Sequence, residues 1–500
     1  MSKISDVYDV IVVGAGGSGL AAALSAASLG AKTLLLEKNG AVGGSTGMSI
    51  GSITAAGTKY QKAQGIVDTT DSHFVDMGSI LGPDDHRENK ALRRILVDHV
   101  PDTLEWLMGL GLRFFGPMPE PPHSKPRMHN VIPNSRAYPY VLSRACFKAG
   151  VECVTNARVT DVLRDGGVVT GVIVSIAGSE RQIKCRGGVI FATGDFSASK
   201  AFKERFLPWV AHIDGFNPTN TGDGQRIGES VGAPILNGDI LWGPSLRVQP
   251  GAGSNLLERL PAWPLLTKLM EVALAKLPVK LFRPFVLSFL TSTLAPSANL
   301  LKSGAILINR HGCRFTNEAD HPALDVAKQT GKQAYIVFDE AIAKKFVSWP
   351  NYVSTAPGVA YAYISDYKKQ KMLYAKGKTI AELASKIGVP RDKLSETVRT
   401  YNEEVKTQSG ERRRLERGPF HAIGPLSTWV DITEGGLGVS TRHEVLSAQG
   451  EIIPGLYAVG SVGQGGLILA GHGHHLGWAF TSGRRAGTFA AERARKLSEQ

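Results

Sequence analysis

Near the start of this chain of 500 residues, glycines recur as Gly14-Ala15-Gly16-Gly17-Ser18-Gly19. That spacing suits a pyrophosphate. Gly14 allows a tight turn, Gly16 lets the backbone come close to the phosphates, and Gly19 lets a helix pack against a sheet. Gly17 and Ser18 would open that helix, where free N–H groups favour anions. Further on stands Glu37, whose carboxylate can accept both hydroxyls of a ribose, followed by Lys38. A second glycine pair, Gly43-Gly44, precedes Ser45 and Thr46. Near the other end, Gly471-His472-Gly473-His474-His475 concentrates imidazoles, which can serve as acid, base or hydrogen-bond donor near neutrality. Caps or backbone hydrogen bonds are the plainer roles for the same histidines.

The elements around the first motif fit its chemistry. Asp9 to Val13 reads DVIVV, a β-branched run suited to a buried parallel strand. Leu20 to Leu29 is rich in Ala and Leu and reads as a helix, and Thr33 to Leu36 reads as a second strand ending at the acid. Strand, turn, helix and strand within about thirty residues make a dinucleotide-binding unit. A nicotinamide enzyme usually continues with another helix, whereas a longer cofactor running back under the sheet needs a second close approach. Gly43-Gly44 supplies one, so the expected cofactor is FAD.

Composition narrows the remaining classes. The chain is 43% hydrophobic, enough for a large core and more than one domain. Its net charge is +13, but the charges are spread along the sequence. The densest run, Arg412 to Arg414 beside Glu411 and Glu416, reads as a solvated helix face, so no nucleic-acid partner is expected. Cys146, Cys153, Cys185 and Cys313 form no CxxC pair and no zinc spacing, so no metal is expected. Without a secretory signal, a cytoplasmic protein with reduced thiols is expected. Pro284 to Leu301 is the longest uncharged stretch, and it is too polar to span a membrane.

From Gly14 onward the chain resembles the fumarate reductase/succinate dehydrogenase flavoprotein superfamily, and its pattern is most similar to the 3-ketosteroid dehydrogenase branch. AGVECVTNARVTDV, from Ala149, resembles the strand whose backbone, near Val159, meets the adenine. GVIFATGDF, from Gly188, resembles the strand that brings Thr193 and Gly194 beside the cofactor. NTGDGQRIGESVGA, from Asn220, resembles the turn and helix that carry Gly222 and Asp223 near the flavin. Arg314 to Glu318, RFTNE, resembles a motif opening the substrate-facing domain, and AYIVFDE from Ala334 also has a counterpart. Gly435 to Gly487 resembles the returning segment that caps the isoalloxazine, with Gly460, Ser461 and Leu476 at the cofactor.

The resemblance implies an α/β fold. A Rossmann-like FAD domain would span residues 1–245 and 437–500, with an inserted α+β substrate-facing domain at 246–436. It also implies non-covalent FAD, because Thr46-Gly-Met48-Ser-Ile-Gly51 holds no histidine for attachment. Leu256 to Leu301 carries many large apolar residues, among them Trp263, Leu265, Leu269, Phe282, Phe285 and Phe289, with basic Arg259, Lys268, Lys276, Lys280 and Arg283. It reads either as two packed helices or as a lip meeting a membrane surface or an apolar substrate.

The family's chemistry is hydride transfer to or from carbon. Relatives that reduce fumarate use an Arg after RFxNE and carboxylate-binding His and Arg groups near the C-terminus. Here those places hold Pro322 or a neighbour, Ile432 and His475. The ketosteroid enzymes carry Tyr-x-Gly-x-Gly before the last helix, and here Leu469-Ala-Gly471-His472-Gly473 keeps the glycines without the tyrosine. The resemblance therefore implies a desaturase of a cyclic or apolar ketone, with an ene-reductase as the alternative and an unidentified electron acceptor. His472, Gly473 and His474 fall where relatives bind the carbonyl, with His321 expected opposite. Tyr363, with Tyr352 and Tyr361, is a candidate base for the α proton.

Overall fold

The computed structural model describes residues 5–248, 260–277, 296–356, 360–406 and 412–500. The β-branched opening forms strand β1, Val7–Val13, at the centre of an eight-stranded sheet. Helix α1, Gly17–Ser28, follows and leads to β2, Thr33–Leu36. β1 pairs in parallel with β2 on one side and with the strand Ser179–Phe191 on the other. The short strand Glu152–Val154 extends the parallel sheet beyond β2, and Ile452–Ala458 pairs in parallel with Ser179–Phe191. The hairpin Ala157–Asp165 and Val168–Ile176 joins the same long strand antiparallel. Where the parallel strands pair, Val10–Val13, Leu34–Leu36 and Val189–Phe191 are uninterrupted buried apolar runs, as a sheet covered on both faces requires.

One face is covered by α1 and by the C-terminal helix, His474–Ser498. These two helices pack backbone to backbone. A Cβ on Gly483 would stand 2.3 Å from the Ser18 carbonyl oxygen, and one on Gly487 would stand 2.2 Å from that of Ala22. The i, i+4 spacing puts both glycines on one face of their helix, opposite the same spacing on α1. An excursion of this domain carries the helices Thr70–Leu81 and Lys90–Gly109 and the antiparallel strands Ser52–Thr54, Arg113–Met118 and Met128–Ile132. Its loop at residues 119–127 reaches the start of the C-terminal helix.

A second hydrophobic core forms between Leu246 and Leu426. It is built on an antiparallel sheet in the order Ser245–Val248, Phe420–Trp429, Ala334–Asp339, Ile306–Ile308, with Tyr374–Gly377 also paired to Phe420–Trp429. The first core, by contrast, draws on residues up to Ala233 and again from Leu437 onward. A small third core of Phe196, Leu207, Val210, Ile213, Ala327 and Val430 sits at the seam between them.

One local expectation changes. Arg412 to Arg414 lie on no helix: Arg412 is held by the Asn317 side chain, Arg414 pairs with Glu416, and Tyr401 donates to the Arg413 carbonyl. Tertiary partners along an extended segment thus replace the expected helix face. In the apolar stretch from Leu256 the main helix described is Pro264–Lys276, with the short Ala298–Lys302 at its end. Arg259, Lys280, Phe282, Arg283, Phe285 and Phe289 lie outside the described residues. The helix is anchored by Glu271, which accepts from Tyr60 at 3.3 Å and pairs with Arg113 at 3.4 Å. Trp263, Leu265, Leu269, Val272 and Leu277 face outward. Among the described residues no helix is long and apolar enough to cross a membrane, and no group of His, Cys, Asp and Glu is arranged to hold a metal.

Candidate active site

An open cavity runs along the carboxyl ends of β1 and β2 and under the start of the C-terminal helix. At its first end Gly14, Gly16, Gly17 and Ser18 form the wall. Gly19 does not line it. It packs against the turn, where a Cβ would sit 1.8 Å from the Gly14 carbonyl oxygen. Glu37 lines the cavity and is buried, and its carboxylate accepts from Ala15 N at 2.8 Å and from Asn39 N at 2.9 Å. A carboxylate has about four acceptor positions, so room remains for ribose hydroxyls. Lys38, Arg158 and Val159 line the same end. Lys38 and Arg158 each donate to Asp223 at 2.7 Å. Burial opposes ionisation of Asp223, but these hydrogen bonds overcome it and hold its pKa at about 2. Asp223 therefore stands beside Lys38, at the ribose end. Gly222 does not line the cavity. It begins the helix Asp223–Ser230 at φ +72°.

Ser45 and Thr46 line the middle, with Gly44. Gly43 stands behind them and donates to the Ala15 carbonyl at 2.9 Å, which ties the second glycine pair to the first motif. Opposite lie Thr193, Gly194, Gly460 and Ser461. Asp195 and Asn220 line this part too, and Asn220 donates to Asp195 at 2.9 Å and to Ser45 at 3.0 Å. Burial raises the Asp195 pKa to about 6.

The far end is formed by Ile432, His475, Leu476 and Ala479. Gly473, at φ +88°, caps the C-terminal helix in the left-handed region that a side chain would strain. The three turn histidines point to three different places. His472 is half-exposed, and Glu120 accepts from both its backbone N–H, at 2.7 Å, and its Nδ1. That hydrogen bond raises the His472 pKa. His474 is fully buried, donates through Nδ1 to the Ala470 carbonyl, and meets His73 at 3.0 Å. Burial pushes its pKa down to about 3. His475 lines the cavity, and its Nε2 lies 2.8 Å from Glu434. Glu434 is fully buried and also accepts from Trp242, Gln464 and Leu469 N. Burial alone would raise its pKa, but His475 and these donors bring it below the usual value.

His321 is exposed, at the start of the short helix Pro322–Val326, and among the described residues no hydrogen bond or ring contact joins it to the turn. Tyr363 begins the helix Ile364–Tyr367, its backbone N–H donating to Asp366 at 2.9 Å. Tyr352 and Tyr361 pack against each other with tilted rings, centroids 5.0 Å apart. Sequence reasoning passed over Glu120 and Glu434, and it put His475 behind His472 and His474. The missed signal was the burial of two isolated acids.

The cavity suits FAD. Two long helices begin at it without side-chain caps, leaving backbone N–H groups for a ligand. Nothing lies within 4 Å of a Cβ built on Gly16, so phosphates can approach there. The buried Thr193 hydroxyl, on the cavity wall, has no protein partner.

The family model described as an FAD binding domain matches residues 9–471. A fumarate reductase (cytochrome) of Shewanella frigidimarina is 29% identical over 98% of this chain and 78% of its own length. The open conformation of a flavocytochrome c3 fumarate reductase superposes with a TM-score of 0.74 at 24% identity, covering 98% of this chain and 79% of the other. The 3-ketosteroid delta1-dehydrogenase from Sterolibacterium denitrificans gives 0.65 at 19% identity, covering 98% and 100%. This chain belongs to the FAD binding domain family; it is an FAD-dependent oxidoreductase of the fumarate reductase/succinate dehydrogenase flavoprotein superfamily.

Proposed function

We propose that the enzyme introduces a C=C bond next to the carbonyl of an apolar compound that lacks paired carboxylates. The supporting observation is that the basic side chains around the turn are each matched by a carboxylate of this chain. His472 has Glu120, His475 has Glu434, and Arg247 has Asp431 at 2.9 Å. A dicarboxylate would have to compete with these acids, while Ile432 and Leu476 present apolar surface. Bound FAD supplies the acceptor for the β-carbon hydride. Gly473, ahead of the helix start, would offer its backbone N–H to the carbonyl oxygen, and the His472 imidazole, through Nε2, would take the α proton.

The test is anaerobic. Oxidised enzyme is mixed with a panel of steroidal and small cyclic ketones, and loss of flavin absorbance is followed. Bleaching by a saturated ketone supports the reading; no bleaching by any ketone sinks it. A second reading, reduction of an activated alkene, is favoured by one observation: the relative that is 29% identical is named a fumarate reductase. Reduced enzyme mixed with enones, urocanate and fumarate tests it by flavin reoxidation.

The same proposal places the enzyme in the cytoplasm with a separate electron acceptor and a peripheral membrane contact. Trp263, Leu265, Leu269 and Val272 project beside Lys268 and Lys276, as an interfacial helix on anionic lipid requires. Co-sedimentation with phosphatidylglycerol vesicles that is lost in Leu265→Asp/Leu269→Asp is expected. Equal sedimentation of both proteins would remove the contact.

A further inference from the structure

The turn that leads into the C-terminal helix is held by its own backbone. Glu88 accepts from the Ile468 N–H at 3.1 Å, and Glu434 accepts from the Leu469 N–H at 3.1 Å. His474 donates to the Ala470 carbonyl, and Glu120 accepts from the His472 N–H at 2.7 Å. On the other side of the same residue, Thr54 Oγ1 donates to the His472 carbonyl at 2.7 Å. Glu88, Glu120, Glu434, His474 and Thr54 are all buried. Buried backbone groups are stable only when paired, so the course of the turn is fixed at each of these points.

Peptide geometry extends this to the next residue. The bond between His472 and Gly473 is trans. In a planar trans peptide the N–H points opposite to the C=O. A His472 carbonyl held on Thr54 therefore turns the Gly473 N–H away from the strand Ser52–Thr54. Gly473 lies close on that strand, where a Cβ would stand 2.6 Å from Thr54 N and 2.7 Å from Thr54 Oγ1. Among the described residues the Gly473 N–H meets no acceptor. Of the two N–H groups in this stretch, Glu120 takes that of His472 and that of Gly473 is left for a ligand.

We propose that Thr54 is a positioning residue for the substrate: by gripping the His472 carbonyl it aims the Gly473 N–H at the substrate's carbonyl oxygen. The inference rests on the reading of Gly473 as a carbonyl donor. It holds for either direction of the reaction, because desaturating a ketone and reducing an enone both build charge on that oxygen. A donor fixed in advance needs no reorganisation as the charge develops. Thr54 suits this task. Its side chain is β-branched and stiff at χ1, and its strand pairs with Met128–Ile132, so the hydroxyl is carried by a sheet and not by a loop.

Crystal structures of the FAD-loaded parent and of Thr54→Val test the geometry without any substrate. The parent should show Thr54 Oγ1 on the His472 carbonyl and no protein acceptor on the Gly473 N–H. In Thr54→Val the 472–473 peptide should have rotated. A protein acceptor on that N–H in the parent, or an unrotated peptide in Thr54→Val, would overturn the proposal. Kinetics test the consequence, with whichever ketone or alkene exchanges electrons with the flavin. Thr54→Val should react about 10²-fold more slowly, the scale of a misplaced contact, with the loss in kcat and not in KM or FAD occupancy. Thr54→Ser, which restores the hydroxyl, should recover most of the rate. The pH profile should stay that of the parent, because His472 and the Glu120, Arg247 and Asp431 groups that face it are untouched. A parent-like rate in Thr54→Val, no recovery in Thr54→Ser, or a shifted profile, which would assign the loss to a displaced His472, would refute the role of Thr54. If no compound reacts with the parent, the reading of the function fails, and the crystal structures still decide the orientation of the peptide.

Discussion

Replacing Glu434 separates its structural role from its effect on His475. The carboxylate is fully buried and accepts from four donors: Trp242 Nε1, Gln464 Nε2, Leu469 N at 3.1 Å and His475 Nε2 at 2.8 Å. Alanine would remove the acceptor of all four at once, and breaking such a buried charged contact costs about 3–5 kcal/mol. Glutamine keeps the shape and one acceptor oxygen. Gln464 has an unpartnered Oε1 that can turn toward the new amide, which leaves the Leu469 N–H as the donor unmet. One buried unsatisfied donor costs about 1–3 kcal/mol, so Glu434→Gln should be the milder variant. The pH dependence has a definite sign. The folded-state pKa of Glu434 is depressed, so its contribution is present above the unfolded carboxylate value of about 4.3 and is lost as pH falls through the folded value. Urea unfolding of the FAD-loaded protein, followed by flavin fluorescence at pH 7 and pH 4, reads both effects. Glu434→Gln should lose stability at pH 7, and its gap to the parent should narrow at pH 4. A loss below about 0.5 kcal/mol for the alanine variant, the level of an ordinary surface change, would refute the reasoning.

Glu37→Ala removes charge-assisted hydrogen bonds to the ribose and frees the Ala15 and Asn39 N–H groups. Loss of about 1.5–3 kcal/mol should weaken FAD binding roughly tenfold or more, and unchanged occupancy on dilution would contradict the assignment. Acid precipitation of the yellow protein should leave all FAD in the supernatant, because Ser45, Thr46 and Ser49 line the cavity where an attaching histidine would have to stand; flavin retained on the pellet would refute non-covalent binding. His472→Ala should slow flavin reduction by substrate about 10²–10⁴-fold and abolish the pH dependence set by the imidazole. That limb comes from a raised pKa, with desaturation rising and reduction falling as pH passes through it. His474→Gln should instead lower stability while leaving the pH profile near neutrality alone, since His474 titrates near 3; a shifted profile in that variant would place His474 in the chemistry.

The local code of this protein is legible in the sequence because it is contiguous. Gly14, Gly16, Gly19 and Glu37 act through one turn, one helix and one neighbouring strand, so their spacing alone specifies a dinucleotide site. Gly43-Gly44 could be read as the second approach for the same reason. The replaced carboxylate-binding groups were likewise legible, a histidine's place at Ile432 and an arginine's at His475. Two things depended on the tertiary structure. The first is the direction of each histidine: successive residues of a helix turn by about 100°, so at its first turn His474 enters the core against His73 while His475 faces the cavity. Sequence spacing could name the cluster but not divide it. The second is the acids. Glu120 meets His472 across 352 positions and Glu434 meets His475 across 41. No pattern along the chain marks either one. They matter because the sheet, the excursion 52–132 and the returning C-terminal helix bury each carboxylate beside one of these histidines, and a buried carboxylate is stable only beside donors and so biases the protonation of what it touches.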